Sequence, residues 1–267
     1  MKKIILFIPV LLICLNCSTV PLTGRKQLAF IPSSQINSLA AQNYQDVLKE
    51  SKLSSNQQQV EMIKRVGNRI VEAVEKYLTI ENQMDRIEGF KWEFNLIESE
   101  QVNAWCMPGG KVAFYTGIMP ICKDDNGVAV VMSHEIAHAI AEHGNERMSQ
   151  QLTTQMGGVA LAVALQDQPS QTQALAMAAF GVGSQVGVLL PYSRLHESEA
   201  DKMGLYFLTL AGYDPYEAPR FWERMNSDAG GRPPEFLSTH PDPTRRVANM
   251  QQWIPEALAY KAKYEGK

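Results

Sequence analysis

The sequence lacks a strong charge of either sign. Its 267 residues include 25 Lys and Arg against 28 Asp and Glu, for a net charge of -3. That balance offers no electrostatic footprint for nucleic acid, so no nucleic-acid partner is expected. With 45% apolar and 20% charged residues, the composition is typical of a globular protein. No internal repeat is visible, and the length suits one sizeable domain with extensions.

Long apolar runs are also missing. The runs at 4–15, 156–165 and 174–190 are each shorter than the roughly 20 residues that a membrane-spanning helix needs. The sequence QDQPSQTQ separates the second run from the third. The sequence therefore predicts no spanning helix. Two alternatives remain for the internal runs: helices that cover an active-site cleft, or an alanine-rich hairpin inside the core.

The N-terminus has the layout of a secretory signal. Residues 1–17, MKKIILFIPVLLICLNC, contain two lysines, an apolar run and a cysteine. The surroundings of Cys17 resemble a bacterial lipoprotein box, although Cys14 and Asn16 depart from the usual residues. The resemblance predicts a lipid anchor on Cys17 that attaches the chain to a membrane. It implies the periplasmic face of a bacterial membrane, and Ser18 after the cysteine favours the outer membrane.

The signal segment 1–17 is followed by a predicted extended tether at 18–32, which contains Pro21, Gly24 and Pro32. The remaining residues, 33–267, are expected to form the functional domain. Within it, the alternating patterns at 91–97 and 111–117 predict two strands. A turn is predicted at 108–110, immediately before the second strand.

Cysteines are scarce, and only Cys106 and Cys122 lie beyond the predicted signal segment. In an oxidising compartment these two could form a disulfide. As buried free thiols they would instead behave as small apolar residues. Both alternatives stay open, because the sequence does not show the geometry that a disulfide requires.

Three of the five histidines lie in SHEIAHAIAEHGNE, residues 133–146. His134 and His138 are spaced i, i+4 and therefore share one face of a helix. That spacing suits two imidazoles that bind one zinc ion. Glu135 between them could take a proton from a water molecule at the metal. The alternative is a helix with two ordinary histidines, since the five-residue motif also occurs by chance.

The ends of this helix have candidate signals. Asp124, Asp125 or Asn126 could cap its N-terminus, and Gly144 lies where a C-cap would end it. A third ligand at His143 would require the glycine of the motif HExxHxxGxxH, but position 141 is alanine. On a continuing helix His143 lies more than about 7 Å along the axis from His138. We therefore exclude His143 as a ligand and expect a polar residue in the last turn.

A second candidate helix, HESEADKMGLYFLTLAG at 196–212, supplies carboxylates. Glu197 and Asp201 are spaced i, i+4 and share a face. Catalytic zinc sites often take one carboxylate ligand. From its own surroundings alone, Glu197 is equally well interpreted as a ligand or as a solvated charge.

Together these motifs resemble a known family. SHEIAHAIAEH followed by PYSRLHESEADKMG, with NAWCMPGGKVAFYTGI at 103–118 and STHPDPTRR at 238–246, is similar to the HtpX and CAAX-prenyl-protease family of zinc metallopeptidases, which are gluzincins. The stretch CSTVPLTGRKQL is similar to the periplasmic lipoprotein branch with BepA-like and Oma-like proteases. The resemblance implies an α+β fold, a mostly helical zincin-like domain with a small β-sheet and an active-site edge strand.

The resemblance also implies roles for particular residues. One Zn²⁺ per chain would be bound by His134, His138 and Glu197. Glu135 would act as the general base. Asp201 matches an acid that assists the transition state or orients a ligand, and Arg246 matches an arginine near the site.

Two further features follow from the resemblance. An edge strand would bind extended polypeptide substrates by β-strand addition. Its substrate-binding positions would be Asn103, Ala104, Pro108, Gly109 and Gly110. His240 would occupy the fourth metal position and hold the enzyme latent, or else would only pack a loop.

The function expected from these features is zinc-dependent hydrolysis of peptide bonds in unfolded or misassembled cell-envelope proteins. The alternative is a chaperone-like envelope lipoprotein with a latent metal site. The presence of Glu135 favours the enzyme, because a purely structural metal site needs no base.

Overall fold

The computed structural model describes residues 17–227, 236, 240 and 243–265. Most of the predicted signal segment and the rest of the STHPDPTRR stretch before Pro243 lie outside the described residues. The chain divides into two compact units. The first comprises Met1–Ser33 and Glu142–His196, and the second comprises Ser34–Ala141 and Glu197–Lys267.

The described strands and helices follow one another along the chain with short connections. In chain order they are β1 (Cys17–Thr19), β2 (Lys26–Leu28), α1 (Ser33–Glu50), α2 (Gln57–Ile80), β3 (Glu93–Ile97), β4 (Ala104–Met107), β5 (Lys111–Tyr115), α3 (Met119–Cys122), α4 (Asp125–Ile140), α5 (His143–Ala164), α6 (Ser170–Ser184), α7 (Leu190–Leu210), α8 (Glu217–Ser227) and α9 (Pro243–Glu265). A π-helical turn, Gln185–Leu189, joins α6 to α7. The predicted α+β class, mostly helical with a small sheet, is confirmed.

The second unit contains a three-stranded sheet in the order β3-β5-β4. β3 pairs with β5 in parallel, and β4 pairs with β5 in antiparallel register, with Ala104 opposite Phe114. The two strands predicted at 91–97 and 111–117 are confirmed. Gly109 and Gly110 both have φ of 81°, which lets the chain turn tightly between β4 and β5. β4 therefore lies at an edge of the sheet.

The helix that carries the histidine motif runs through the core of the second unit. Asp124 caps α4, because its side chain accepts hydrogen bonds from the backbone N–H groups of Asn126 and Gly127. Nearly every residue of α4 is buried, including Val128, Met132 and Ile136. A helix that is apolar on all sides is stable only inside a core. α4 packs against α2, α8 and β4.

The expected end of α4 at Gly144 is wrong. The helix ends at Ile140, and Glu142 takes a left-handed φ of 56°. Gly144 lies inside the next helix, α5. His143 is the first residue of α5, so it is not in the last turn of α4 as expected. The motif therefore divides between two helices after His138.

The first unit contains a two-stranded antiparallel ladder over residues 17–28, most of which lies in the stretch 18–32 predicted as a tether. β1 pairs with β2, with Ser18 opposite Gln27. The Arg25 guanidinium donates two hydrogen bonds to the Glu146 carboxylate on α5, at 2.9 and 2.7 Å. The N-terminal residues are thereby attached to α5.

Of the two alternatives for the apolar runs at 156–165 and 174–190, the alanine-rich core hairpin is wrong. No residue of α6, which the structure describes in full, is buried. Helical backbone continues from Ser170 to Leu210 through the π-helical turn, and the apolar part of this stretch has no buried residue. By length and composition it could cross a membrane, which the separate runs in the sequence did not indicate.

Candidate metal centre

Four candidate ligands of the second unit meet at one point. His134 and His138 come from α4, Glu197 from α7, and His240 from the segment before α9. One donor atom from each lies within 4.8 Å of all the others. The three residues that the motifs predicted as ligands are thus brought together, and His240 joins them.

The distances show that the ligand atoms face a common centre. Nε2 of His134 lies 3.1 Å from Nε2 of His138 and 3.1 Å from Nδ1 of His240. Glu197 Oε2 lies 2.7 Å from His240 Nδ1, and Glu197 Oε1 lies 3.4 Å from His138 Nε2. Three imidazoles and a carboxylate match the donor types that bind zinc. The lone pairs of these four side chains converge on one point. A bound cation accounts for that convergence better than hydrogen bonds among the side chains alone.

Two helices approach closely to bring these ligands together. At Gly204 of α7, an added Cβ would lie 3.0 Å from the backbone nitrogen of His134 and 3.1 Å from the carbonyl carbon of Ser133. Only a glycine leaves this contact unstrained. The close contact places Glu197, two turns earlier on α7, beside the histidines of α4.

Glu135 lies beside the centre and is buried, with 4% of its surface exposed. Its Oε1 has no hydrogen-bond partner among the described residues and lies 3.4 Å from His240 Nε2. Burial raises the pKa of Glu135, although the nearby His240 and His134 act in the opposite direction. A buried carboxylate with a raised pKa and an unused oxygen is suited to accept a proton.

Asp201 and Arg246 form a layer behind the ligands. Asp201 Oδ1 lies 3.0 Å from His134 Nδ1, which leaves His134 Nε2 directed at the centre. Arg246 Nε donates to Asp201 Oδ2 at 2.7 Å, and Arg246 Nη1 lies 3.3 Å from Glu197 Oε2. The geometry thus places both residues against ligands, so it favours an orienting role for Asp201.

The charges of this layer set the protonation of the ligands. Burial acts to raise the pKa of Asp201, but Arg246 and His134 lower it overall. Burial likewise opposes the ionised form of Glu197, yet His138 and His240 hold its pKa well below the usual range. Both carboxylates are therefore ionised at neutral pH, as a ligand and its orienting group must be.

Two aromatic residues of the site were missed by the sequence reasoning. The Arg246 guanidinium lies over the Trp222 ring, 3.5 Å from its centroid. Trp222 stacks on Phe236, and Phe236 contacts the His240 ring at 4.4 Å between centroids. In the sequence, the amphipathic pattern of α8 predicts only that Trp222 is buried. Its position under Arg246 depends on the packing of α8 against α9.

The predicted substrate-binding residues fall into two groups. Asn103 and Ala104 lie at the start of β4, the edge strand beside α4. Pro108, Gly109 and Gly110 lie in the turn after β4, where the Gly109 and Gly110 carbonyls already accept hydrogen bonds from Lys91 and Glu93. The outer edge available for pairing is therefore β4 itself.

The two internal cysteines are free thiols. Cys106 lies on β4, and its Sγ contacts the Met107 carbonyl oxygen at 3.5 Å. Cys122 is fully buried at the end of α3. Burial is the main cause that raises the pKa of both thiols, and the charge of Glu135 raises that of Cys106 further. Of the two alternatives left open by the sequence, the structure has the free thiols.

His143 belongs to the first unit and is absent from the metal group, as its spacing predicted. Its ring stacks on that of His196 with centroids 4.3 Å apart. His196 Nε2 lies 2.8 Å from Glu146 Oε2. His143 therefore takes part in a buried polar cluster of α5 and α7.

A helix with the HExxH motif, a carboxylate from a second helix and an adjacent sheet edge define the class of zinc metallopeptidases. The family model described as Peptidase family M48 matches residues 57–254. The chain belongs to peptidase family M48, whose members depend on zinc. The predicted family and zinc cofactor are confirmed.

Curated relatives agree with this family. The chain is 32% identical to the mitochondrial metalloendopeptidase OMA1 of Schizosaccharomyces pombe, over 89% of this chain and 66% of the relative. It is 36% identical to that of Saccharomyces cerevisiae, over 73% of this chain and 56% of the relative. It is 30% identical to the beta-barrel assembly-enhancing protease of Escherichia coli K12, over 60% of this chain and 34% of the relative. The chain thus spans between a third and two thirds of these relatives' lengths. Their names support the predicted class of metalloendopeptidase.

These comparisons overturn the expected location. The predicted site was the periplasmic face of a bacterial membrane, with the outer membrane favoured. The two yeast relatives named as mitochondrial enzymes match more of the chain, and at higher identity, than the bacterial protease does. The signal-like residues 1–16 that suggested the location lie outside the described residues.

Proposed function

We propose that this chain is a zinc endopeptidase that cleaves extended, unfolded polypeptides and is held latent by His240. The observation that carries the proposal is the meeting of His134, His138 and Glu197 beside the buried carboxylate of Glu135. The expectation that its substrates belong to a bacterial envelope falls with the corrected location.

In this mechanism, bound zinc supplies a Lewis acid that polarises the peptide carbonyl. His134, His138 and Glu197 would hold the ion. Glu135 would take a proton from the attacking water molecule and later give it to the leaving amine. Burial raises the pKa of Glu135, which makes its carboxylate a better proton acceptor than an exposed one.

The edge strand β4 would hold the substrate. Tyr115 N–H donates to the Asn103 carbonyl at 3.0 Å, so every second residue from Asn103 pairs with β5. The alternate residues Ala104 and Cys106 then direct their backbone groups to the outer edge. An extended peptide that pairs there adds a strand beside α4, and its recognition depends little on side chains.

Latency is proposed from the position of His240. Its Nδ1 lies 2.7 Å from Glu197 Oε2 and 3.1 Å from His134 Nε2, which supports a role as a fourth donor. A catalytic zinc with three protein ligands keeps that position for water. His240 would therefore exclude the nucleophile until a substrate or partner displaces its side chain.

The alternative, a chaperone-like protein with a latent metal site, differs in one measurable property. We expect the zinc-loaded chain to cleave a denatured protein such as casein, and Glu135→Gln to retain zinc but lose cleavage by at least about 100-fold. The readouts are gel assays with metal analysis of the same sample. Suppression of casein aggregation without cleavage, equal in both chains, would favour the alternative.

The latency proposal predicts a gain of activity. His240→Ala should keep its zinc, because three ligands remain, and should cleave casein faster than the unaltered chain. Self-cleavage should increase in parallel. The matched control is the double variant His240→Ala/Glu135→Gln, which should show neither casein cleavage nor self-cleavage. Equal rates for His240→Ala and the unaltered chain would show that His240 only packs its segment.

We also propose that a lipid on Cys17 attaches the chain to a membrane, as the cysteine context indicates. β1 begins at Cys17, so a lipid there would lie at the start of the first unit's ladder. Expression in the native host should give a chain whose mass exceeds the polypeptide by the lipid, and Cys17→Ser should abolish the increase. An unmodified cysteine in the mature protein would exclude the anchor.

A further inference from the structure

We infer that α5 and α6, with the π-helical turn that follows them, form a hairpin that inserts into a lipid bilayer. This hairpin, residues 148–193, belongs to the first unit. The inference is independent of the proposed lipid on Cys17 and of the peptidase activity.

The hairpin exposes apolar side chains and buries polar ones. Leu175 is 74% exposed, and Val159 and Val182 are each 66% exposed. Within residues 148–193 the buried side chains are those of Ser149 and Gln150, and both are polar. A helix of a water-soluble protein has the reverse pattern. Exposed apolar surface of this extent marks an interaction site, because water-soluble monomers rarely carry it.

The charge pattern favours a bilayer over a protein partner. Between Arg147 and Arg194 the sequence has one charged residue, Asp167. Asp167 lies in the polar tip QDQPSQTQ between α5 and α6, and both arginines are exposed at the base. Protein interfaces keep a charged rim around an apolar centre. Apolar helices flanked by cations at one end and a polar tip at the other match the layers of a membrane.

The dimensions agree with this assignment. The apolar part at 174–190 is about 25 Å long at the rise of an α-helix. The hydrocarbon core of a bilayer is about 30 Å thick. With the arginines at the near headgroups, the polar tip would reach the far side of the hydrocarbon layer. Helical backbone bonds its interior N–H and C=O groups within the helix, which is the form that insertion requires.

The inner side of the hairpin is also suited to lipid. A cavity of about 530 Å³ lies against α5 and α6, with mainly apolar walls that include Leu28, Gly157, Phe180 and Val188. Acyl chains are flexible and apolar, so they can fill a space that these side chains leave open.

The experiment is co-flotation with neutral phosphatidylcholine vesicles. The full chain carries Cys17→Ser, so that no lipid on Cys17 contributes to binding. We expect the chain to float with the vesicles, and to do so equally at low salt and in 1 M NaCl, because the hairpin has almost no charge to screen. Recovery in the bottom fraction at both salt concentrations would overturn the inference.

A matched pair of variants assigns the binding to the hairpin. Leu175→Glu/Val182→Glu places two charges on the exposed hairpin surface and should weaken partitioning more than about tenfold. Leu39→Glu/Tyr216→Glu adds the same charge at two sites of the second unit that are each 51% exposed, and should float like the parent chain. Circular dichroism checks that both variants fold. Equal flotation of the two double variants would exclude the hairpin as the part of the chain that binds the vesicles.

A second measurement detects insertion directly. Val182→Trp should give an emission that shifts to the blue on vesicle addition and is quenched by lipids brominated along the acyl chains. The parent chain supplies the background of its four tryptophans. A signal from the introduced indole that is quenched only by aqueous quenchers would contradict insertion. So would a dimer in lipid-free solution that Leu175→Glu/Val182→Glu converts to a monomer, because a second copy would then cover this surface.

Discussion

Single side chains of the candidate metal centre depend on their neighbours for orientation. Asp201 contacts Nδ1 of His134, and Arg246 contacts both Asp201 and Glu197. The Trp222 ring supports the Arg246 guanidinium from below. A ligand that is held by a carboxylate and an arginine keeps its lone pair aimed at the metal, so the ordering cost of binding is already met.

At this scale we predict a graded loss of zinc. Glu197→Gln removes a ligand and should give a chain with little zinc and no cleavage. Asp201→Asn leaves all ligands in place but removes the charge at His134 Nδ1, so zinc affinity should fall by about 10–100-fold. Competition with a chelating dye measures both affinities.

The surface variant Glu98→Gln is the control for the graded loss, since its carboxylate pairs with the exposed Lys52 and lies outside the metal group. Its zinc affinity and cleavage activity should match those of the parent chain. Full zinc occupancy and activity in Glu197→Gln would remove Glu197 from the site.

At the scale of elements, the centre depends on how closely α4 and α7 approach. Neither helix alone holds the candidate ligand set, because the histidines lie on α4 and Glu197 lies on α7. The contact at Gly204 limits their separation, because an added Cβ would lie only 3.0–3.1 Å from the backbone of Ser133 and His134. Core contacts of this kind can move little to admit an added atom, because protein interiors are close-packed.

We therefore predict that Gly204→Ala destabilises the chain by about 1–3 kcal/mol, as overpacking commonly does, and weakens zinc binding as α7 moves away from α4. Gly181→Ala is the matched control. It lies in α6, where an added Cβ meets nothing within 4 Å, so helix propensity should leave stability unchanged or slightly higher. Urea denaturation and zinc titration measure both effects. Gly204→Ala with unchanged stability and affinity would show that the helices can separate freely.

At the scale of the whole molecule, the N-terminal residues are attached through a buried ion pair in the first unit. Arg25 and His196 both contact the Glu146 carboxylate, which is 1% exposed. Burial acts to raise the pKa of Glu146, but the hydrogen bonds from Arg25 and His196 lower it to about 2. An ionised carboxylate is thus more stable in the folded chain than in the unfolded chain.

The sign of this shift sets a pH dependence. Because the folded pKa is depressed from 4.5 to about 2, the contribution of Glu146 is complete above pH 4.5 and is lost as the pH falls towards 2. We predict that Glu146→Gln is less stable than the parent at pH 7, and that the difference narrows across this window.

Denaturation midpoints measured between pH 3 and 7 test the Glu146 prediction. Glu98→Gln again serves as the surface control. Its stability should differ little from that of the parent chain, and the difference should not narrow as the pH falls. A constant gap between the parent and Glu146→Gln at every pH would mean that the ion pair does not stabilise the fold.

Much of the candidate site could be predicted from sequence, since it depends on spacing within single helices. His134, Glu135 and His138 are positioned by the rise and turn of one helix, and Glu197 and Asp201 by those of another. Asp124 as the cap of α4 and the two predicted strands followed equally local rules. Family resemblance then paired the two helices and added His240 and Arg246.

Other features were decided only by the tertiary structure. The left-handed residue that ends α4 is Glu142, not Gly144, because α5 starts at His143 and buries it against His196. The sequence does not indicate that Trp222 lies under Arg246, or that Cys106 and Cys122 stay apart as free thiols. Neither do the separate apolar runs indicate a continuous helix from Ser170 to Leu210 whose apolar first part is exposed. Helical spacing acts between residues a few positions apart, whereas these features depend on contacts between residues that only packing brings together.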